Sequence, residues 1–211
     1  MDNMALADLS IKEFLAKTAS NSPVPGGGSI AALSAAIAAS LSEMVAHLTI
    51  GKKGYEALEE EMQEISKDAF QYRERLIRYI DKDSNAYNDV MAAFKLPKGT
   101  EQERKNREGA IQEALINATL VPLDVARDAF KIIGLAGKAV RQGNKNAVTD
   151  AAVAVMMART AALSALYNVK INLASIKDTD FVEEIREEIK HMESEIVNRE
   201  SEILSGVSMY L

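Results

Sequence analysis

From Tyr55 to Tyr79 the apolar residues fall at Tyr55, Leu58, Met62, Ile65, Ala69, Tyr72, Leu76 and Tyr79. The steps alternate between three and four, which is the seam of a long helix packed against neighbours. No segment alternates convincingly at period two, so no strand is expected. The chain of 211 residues has only 4 prolines and 11 glycines, most of them clustered between such periodic segments. The expected fold is therefore all-α: a single-domain antiparallel helical bundle over residues 1–211, with long helices, packed as a dimer.

The boundaries follow from local chemistry. Ser10 and Glu13 form a capping box that opens a short first helix. The loop Asn21-Ser22-Pro23-Val24-Pro25-Gly26-Gly27-Gly28 separates it from a second helix, about Ser29 to Ile50, built almost wholly of Ala, Ser, Ile and Leu. Gly51 and Gly54 break that helix before the long third one, which ends at Leu96-Pro97-Lys98-Gly99. Thr100 and Glu103 are a second capping box. The fourth helix contains Pro122, which should kink it or divide it in two, and stops at Gly143. A fifth, Ala-rich helix spans about Asn146 to Leu173, and a last one about Phe181 to Leu204, with Phe181, Ile185, Ile189, Met192, Ile196 and Ile203 facing inward. Aromatic residues make up only 5% of the chain, and the two Ala-rich helices bury little area per residue. Such a surface suits a second copy, so a homodimer or higher homo-oligomer is expected.

Composition excludes several chemistries. The 31 acidic and 25 basic side chains give a net charge of −6 with no basic block, unsuited to nucleic acid. Without cysteine there are no disulfides, thiol nucleophiles, iron–sulfur clusters or thiolate zinc sites. His47 and His191 are far apart and no H-E-x-x-H occurs, so no metal site is expected. His47, amid apolar neighbours, reads as a core or interface residue, and His191 as solvated. The N-terminal segment lacks a basic n-region and an apolar h-region, and the longest apolar stretch, Ile30 to Leu41, is short for a bilayer. A cytoplasmic protein without membrane contact is the expectation.

The informative positions are polar residues that interrupt apolar patterns. Continuing the third helix's seam past Tyr79 leads to Asp83, then Ala86 and Val90. A carboxyl in a packed seam loses hydration, which favours its neutral, proton-donating form. The alternative is that the helix splays there and Asp83 faces water or a lysine. Tyr87 lies one turn further on. In the fifth helix the stripe Ala147, Ala151, Ala154, Ala158, Ala161 and Ala165 runs on into Asn168 and Asn172, one turn apart on one face. Those amides must either pair inside the bundle or address a ligand. Pro25-Gly26-Gly27-Gly28-Ser29 leads into the second helix, and a glycine turn at a helix N-terminus lets a bound group approach free N–H donors; the plainer reading is a turn with Ser29 as cap. Asn144, Asn146 and Asp150 near the start of the fifth helix read as capping residues or as further pocket residues.

Taken together and in order, these segments resemble the cyclodeaminase family, fused to formiminotransferase in animals and standing alone in many bacteria. The likeness rests on Pro25-Gly26-Gly27-Gly28-Ser29 with Met44-Val45, Asp81-x-Asp83 with Ala86-Tyr87, Leu96-Pro97-Lys98, Val121-Pro122-Leu123, Gly143-Asn144, Asp150 and Asn168-Val169-x-Ile171-Asn172-Leu173. It runs from Phe14 to about Phe181. Ser84-Asn85 depart from the small and acidic residues expected there, and His47 matches no motif.

The resemblance implies an all-α dimer that closes 5-formimidoyltetrahydrofolate to 5,10-methenyltetrahydrofolate with release of ammonia, a lyase of folate one-carbon metabolism and histidine degradation. It implies Asp83 as the catalytic acid. Gly26, Gly27, Gly28, Ser29, Tyr87, Asn144, Asp150, Asn168 and Asn172 would line the substrate site. No cofactor beyond the tetrahydrofolate substrate is implied, and a separate formiminotransferase is a possible partner. Two other readings stay open: a methenyltetrahydrofolate cyclohydrolase on the same scaffold, and a non-enzymatic helical dimerisation module in which Asp83 only sets register.

Overall fold

The computed structural model describes residues 4–207; residues 1–3 and 208–211, the ends of the domain expected over 1–211, lie outside the described residues. Six α-helices follow one another: α1 (Ile11–Thr18), α2 (Gly27–His47), α3 (Glu59–Phe94), α4 (Glu101–Gln142), α5 (Val148–Leu173) and α6 (Thr179–Ser205). Short 3-10 turns at Leu6–Asp8, Glu56–Leu58 and Lys145–Ala147 connect or precede them. Among the described residues there is no strand.

Both expected capping boxes form. Ser10 accepts from the Glu13 N–H, Thr100 accepts from the Glu103 N–H, and each glutamate reaches back to the cap's own N–H. Gly51 and Gly54 adopt positive φ (69° and 90°), which makes the turn between α2 and α3 open to residues without a Cβ. α6 starts at Thr179, earlier than periodicity suggests, because the Asp178 side chain accepts from the Phe181 N–H. α2 also starts earlier, at Gly27. Its N-cap, Gly26, has no side chain, so the reading of Ser29 as cap is corrected: Ser29 sits inside the first turn and its hydroxyl bonds elsewhere.

α2 and α5 form the centre. Ala31, Ala32, Ala35, Ala38 and Ala39 of α2 are buried, as are Ala147 just before α5 and Ala151, Ala154, Ala158, Ala161 and Ala165 within it. Side chains this small let helix axes approach closely. α3 and α5 flank α2, and α4 packs along α5 and α3. α6 closes the other side of α5 and α4, through Ile185, Ile189, Met192, Ile196 and Ile203. The apolar core draws on all six helices. α2 is longer than its apolar run suggests, so by length and composition both α2 and the segment 145–173 are long and apolar enough to cross a bilayer; about half of each is buried within the bundle.

α4 runs unbroken through Pro122, so of the kink or division expected there the division does not occur. His47 is exposed on the last turn of α2, with Nε2 2.7 Å from Ser66 Oγ, which corrects its reading as a core residue. His191 is exposed, as its charged surroundings suggest.

Candidate active site

The seam of α3 does continue beyond Tyr79: Ile80, Ala86 and Val90 are buried. Asp83, on the same side of the helix, is half-buried and opens into a cleft of about 390 Å³ between α3, the N-terminus of α2 and the C-terminal turns of α5. Gly26, Gly27, Gly28, Asp83, Tyr87, Asn168 and Asn172 share its wall. Pro23, Val24, Val90, Met91, Phe94 and Ala118 complete it on the apolar side.

Gly27 and Gly28 sit between the acid and an amide. A Cβ on Gly27 would lie 3.3 Å from Asn168 Nδ2, and one on Gly28 would collide with the Asp83 carboxyl. Neither glycine has positive φ, so the requirement here is close approach and not backbone freedom. The bare turn lets α3 and α5 both press their polar groups onto the start of α2.

The Asp83 carboxyl is held by Ser29, whose Oγ lies 3.0 Å from Oδ2. The same hydroxyl is 2.9 Å from the Ile80 carbonyl oxygen and 3.1 Å from Ser84 Oγ. Ser29 has one proton for three neighbours, so its donation must choose among them. Loss of hydration in the cleft pushes the Asp83 carboxyl above the ordinary carboxylate range, while hydrogen bonds from the Ser29 side chain and backbone pull the other way and only partly offset it. No lysine or arginine pairs with Asp83 among the described residues. The alternative of a splayed, water-facing or lysine-paired Asp83 is not what the fold contains.

The two asparagines are anchored differently. Asn168 donates through Nδ2 to Ser164 O of its own helix at 2.9 Å, and Asn172 donates through Nδ2 to Ala118 O of α4 at 2.7 Å. Both carboxamides therefore have a fixed sense, and among the described residues neither Oδ1 has a partner. Tyr87, Met91 and Phe94 form an apolar rim, each 38–45% exposed.

Asn144 and Asp150 stand apart from this cleft. Asn144 is buried at the opposite end of α2: its N–H donates to Thr49 Oγ1, its Nδ2 to Leu48 O, and its Oδ1 accepts from Lys52 Nζ and the Asn146 N–H. That bonding makes it the cap of the 3-10 turn before α5 and a tie to the loop after α2. Asp150 lies in the first turn of α5, 18 residues before Asn168, or about 27 Å along a helix. The assignment of these two residues to the same pocket as Asp83 is corrected accordingly. Lys52 and Tyr55 serve this distant junction too, the Tyr55 hydroxyl accepting from the Lys145 N–H.

Ser84, Val90, Met91, Phe94 and Ala118 were not singled out as site residues from sequence. A signal for two of them, Met91 and Phe94, existed: Asp83, Tyr87, Met91 and Phe94 are spaced by four, four and three along one helix face. Among the described residues no group of three or more His, Asp or Glu side chains converges as a metal site.

The model of the formiminotransferase-cyclodeaminase family matches residues 10–191 of the chain. A methenyltetrahydrofolate cyclohydrolase from Methylorubrum extorquens is 40% identical over 186 residues, covering 88% of this chain and 89% of that protein. The formimidoyltransferase-cyclodeaminase of Rattus norvegicus is 31% identical over 203 residues; the match takes in 96% of this chain but 38% of the rat protein. A crystal structure of formiminotetrahydrofolate cyclodeaminase from Thermotoga maritima superposes with a TM-score of 0.86 at 33% identity, covering 95% of this chain and 96% of the other. The all-α fold, the glycine turn facing an isolated acid and these similarities agree: the chain belongs to the formiminotransferase-cyclodeaminase family.

Proposed function

We propose that this protein closes 5-formimidoyltetrahydrofolate to 5,10-methenyltetrahydrofolate with release of ammonia, and that Asp83 is the general acid. The observation that carries this reading is a carboxyl without a cationic partner, raised in pKa by burial and opening into a cleft with an apolar rim. The secondary nitrogen of the substrate attacks the formimidoyl carbon, giving a tetrahedral centre that bears an amino group. That group leaves only as neutral ammonia, so a proton must reach it before the C–N bond breaks, and the remaining nitrogens retain the methenyl cation. An acid at that position contributes on the order of a hundred- to ten-thousand-fold. The attacking atom belongs to the substrate, so the protein needs no activated serine.

Ser29 completes the step. While Asp83 is protonated, Ser29 donates to Ile80 O and can accept from the acid. Once Asp83 gives up its proton, the hydroxyl turns to the new carboxylate at 3.0 Å. The first turn of α2 presents its backbone N–H groups to the same anion. Tyr87, Met91 and Phe94 offer a surface for the flat rings of a folate, and Asn168 and Asn172 offer acceptor oxygens to its N–H edges.

The 40% identity to a methenyltetrahydrofolate cyclohydrolase favours a second reading, in which water adds to the methenyl carbon and Asp83 shuttles the proton. Incubation of pure protein with 5-formimidoyltetrahydrofolate, following methenyl absorbance and ammonia together, tests the first reading. Hydrolysis of methenyltetrahydrofolate without ammonia formation from the formimidoyl substrate selects the second. No turnover of either folate removes both and leaves the dimerisation-module reading.

Assembly belongs to the same proposal. α2 and α5, neighbours in the bundle, expose Ile37 and Met44 on one and Val153 and Met156 on the other, each 36–47% exposed. Apolar residues on both central helices suit a second copy of the chain. In the rat relative the matched segment is 38% of a larger chain; a separate formimidoyl-transferring enzyme would supply the substrate here.

A further inference from the structure

Proline has no N–H, so at position 122 of α4 the carbonyl four residues earlier loses its helical donor. That carbonyl belongs to Ala118, which lines the cleft. Its oxygen accepts from Asn172 Nδ2 at 2.7 Å. Pro122 itself is buried and does not line the cleft. We propose that Pro122 is a positioning residue for the site: by leaving Ala118 O without a backbone donor, it supplies the acceptor that holds the Asn172 carboxamide in one sense, nitrogen toward α4 and Oδ1 free for the ligand.

The contrast with Asn168 supports this. Asn168 Nδ2 uses the carbonyl of Ser164, one turn back on its own helix. Asn172 instead crosses to α4, where an orphaned carbonyl is available. A proline also clashes with the carbonyl four residues before it, which tilts that group outward from the helix axis and toward a neighbouring side chain. An acceptor fixed in this way would read a donor-rich edge, such as the aminopyrimidine end of a pterin ring. That ligand class rests on the folate reading above; the carboxamide's orientation does not.

The test is a cycle of Pro122→Ala, Asn172→Ala and the double variant, with 15N NMR of the Asn172 side-chain amide in the full-length protein. Alanine is a better helix former than proline, so Pro122→Ala folds with a melting temperature equal to or above that of the unsubstituted protein. The expected result is that the Asn172 amide resonances move in Pro122→Ala. KM for the turned-over folate rises about tenfold, the worth of one hydrogen bond, with kcat within about twofold. In the Asn172→Ala background, Pro122→Ala then adds no further rise. Unchanged Asn172 resonances, or an equal KM effect with and without Asn172, would overturn the proposal. If neither folate turns over in the unsubstituted protein, the functional reading fails, and the amide resonances alone still decide the role of Pro122.

Discussion

The carboxyl of Asp83 rests on the backbone of Gly28. A Cβ built on this glycine would lie 2.5 Å from Asp83 Cγ and 2.7 Å from Oδ2, closer than real side chains come. Burial of Gly28 and Ser29 seals one side of the acid, while the other side opens into the cleft. Two consecutive helices thus share a contact possible only because one of them starts with a residue that has no side chain.

Gly28→Ala is therefore expected to displace Asp83 and leave the bundle standing. Overpacking of this kind costs about 1–3 kcal/mol, part of it returned by alanine's better helix propensity. Turnover should fall at least tenfold in kcat, while circular dichroism remains helical. Full activity in Gly28→Ala would show that the acid's placement against α2 is not needed.

Asp83→Asn keeps shape and removes the proton. Turnover should drop by about a hundred- to ten-thousand-fold, with KM little changed, because the acid acts on the departing nitrogen and not on binding. The pH dependence has a definite sign. The acid must be protonated to act, so kcat should fall as pH rises through the raised pKa of Asp83. Stability follows the same direction. The folded state binds this proton more tightly than the unfolded chain, so the contribution of Asp83 to folding is lost as pH climbs from the ordinary carboxylate range through the raised value. Asp83→Asn should remove that slope, and thermal melts of both proteins across pH 4 to 8 would reveal it.

Much of this arrangement is legible in the sequence, because it consists of interruptions in strong patterns. Asp83 breaks an apolar seam, Asn168 and Asn172 extend an alanine stripe, and both patterns survive folding: Ile80, Ala86 and Val90 are buried on one helix and Ala151, Ala154, Ala158, Ala161 and Ala165 on the other. Helical periodicity carries these positions to one face without knowledge of the partner helix. What it does not carry is the position along the axis. Asn144 and Asp150 belong to the same helical hairpin as Asn168 and Asn172, yet lie at its far end, where Asn144 satisfies Leu48, Thr49 and Lys52. Nothing local marks Ser84 as part of the site, because its contact with Ser29 crosses 55 positions in sequence. The starts of α2 and α6 fall ahead of their apolar patterns for a local reason: one has no side-chain cap and the other is capped by Asp178, outside the apolar pattern.

Ser29→Ala separates two roles of one hydroxyl. Its hydrogen bond lowers the pKa that burial raises, so its loss should move the basic limb of the kcat profile to higher pH. It should also lower kcat about tenfold at the optimum, since the carboxylate formed during the reaction loses its donor. A profile that keeps its position while activity falls would mean that Ser29 serves packing alone.

Charge placed on the exposed apolar faces of α2 and α5 tests the proposed assembly. Ile37 and Met156 are 40% and 47% exposed and touch none of the catalytic groups, so glutamate at either position costs the isolated bundle little. Across an interface between two copies each substitution appears twice and faces unpaired burial, at several kcal/mol in all. Light scattering coupled to size exclusion should therefore show about twice the 23.0 kDa chain mass for the unsubstituted protein and the single-chain mass for Ile37→Glu with Met156→Glu. A dimer that survives both substitutions would place its interface elsewhere on the bundle. A drop in turnover that tracks dissociation, at unchanged helicity, would show that the cleft depends on the second copy, whereas full turnover by the single chain would mean that Asp83, Ser29 and the two asparagines suffice within one bundle.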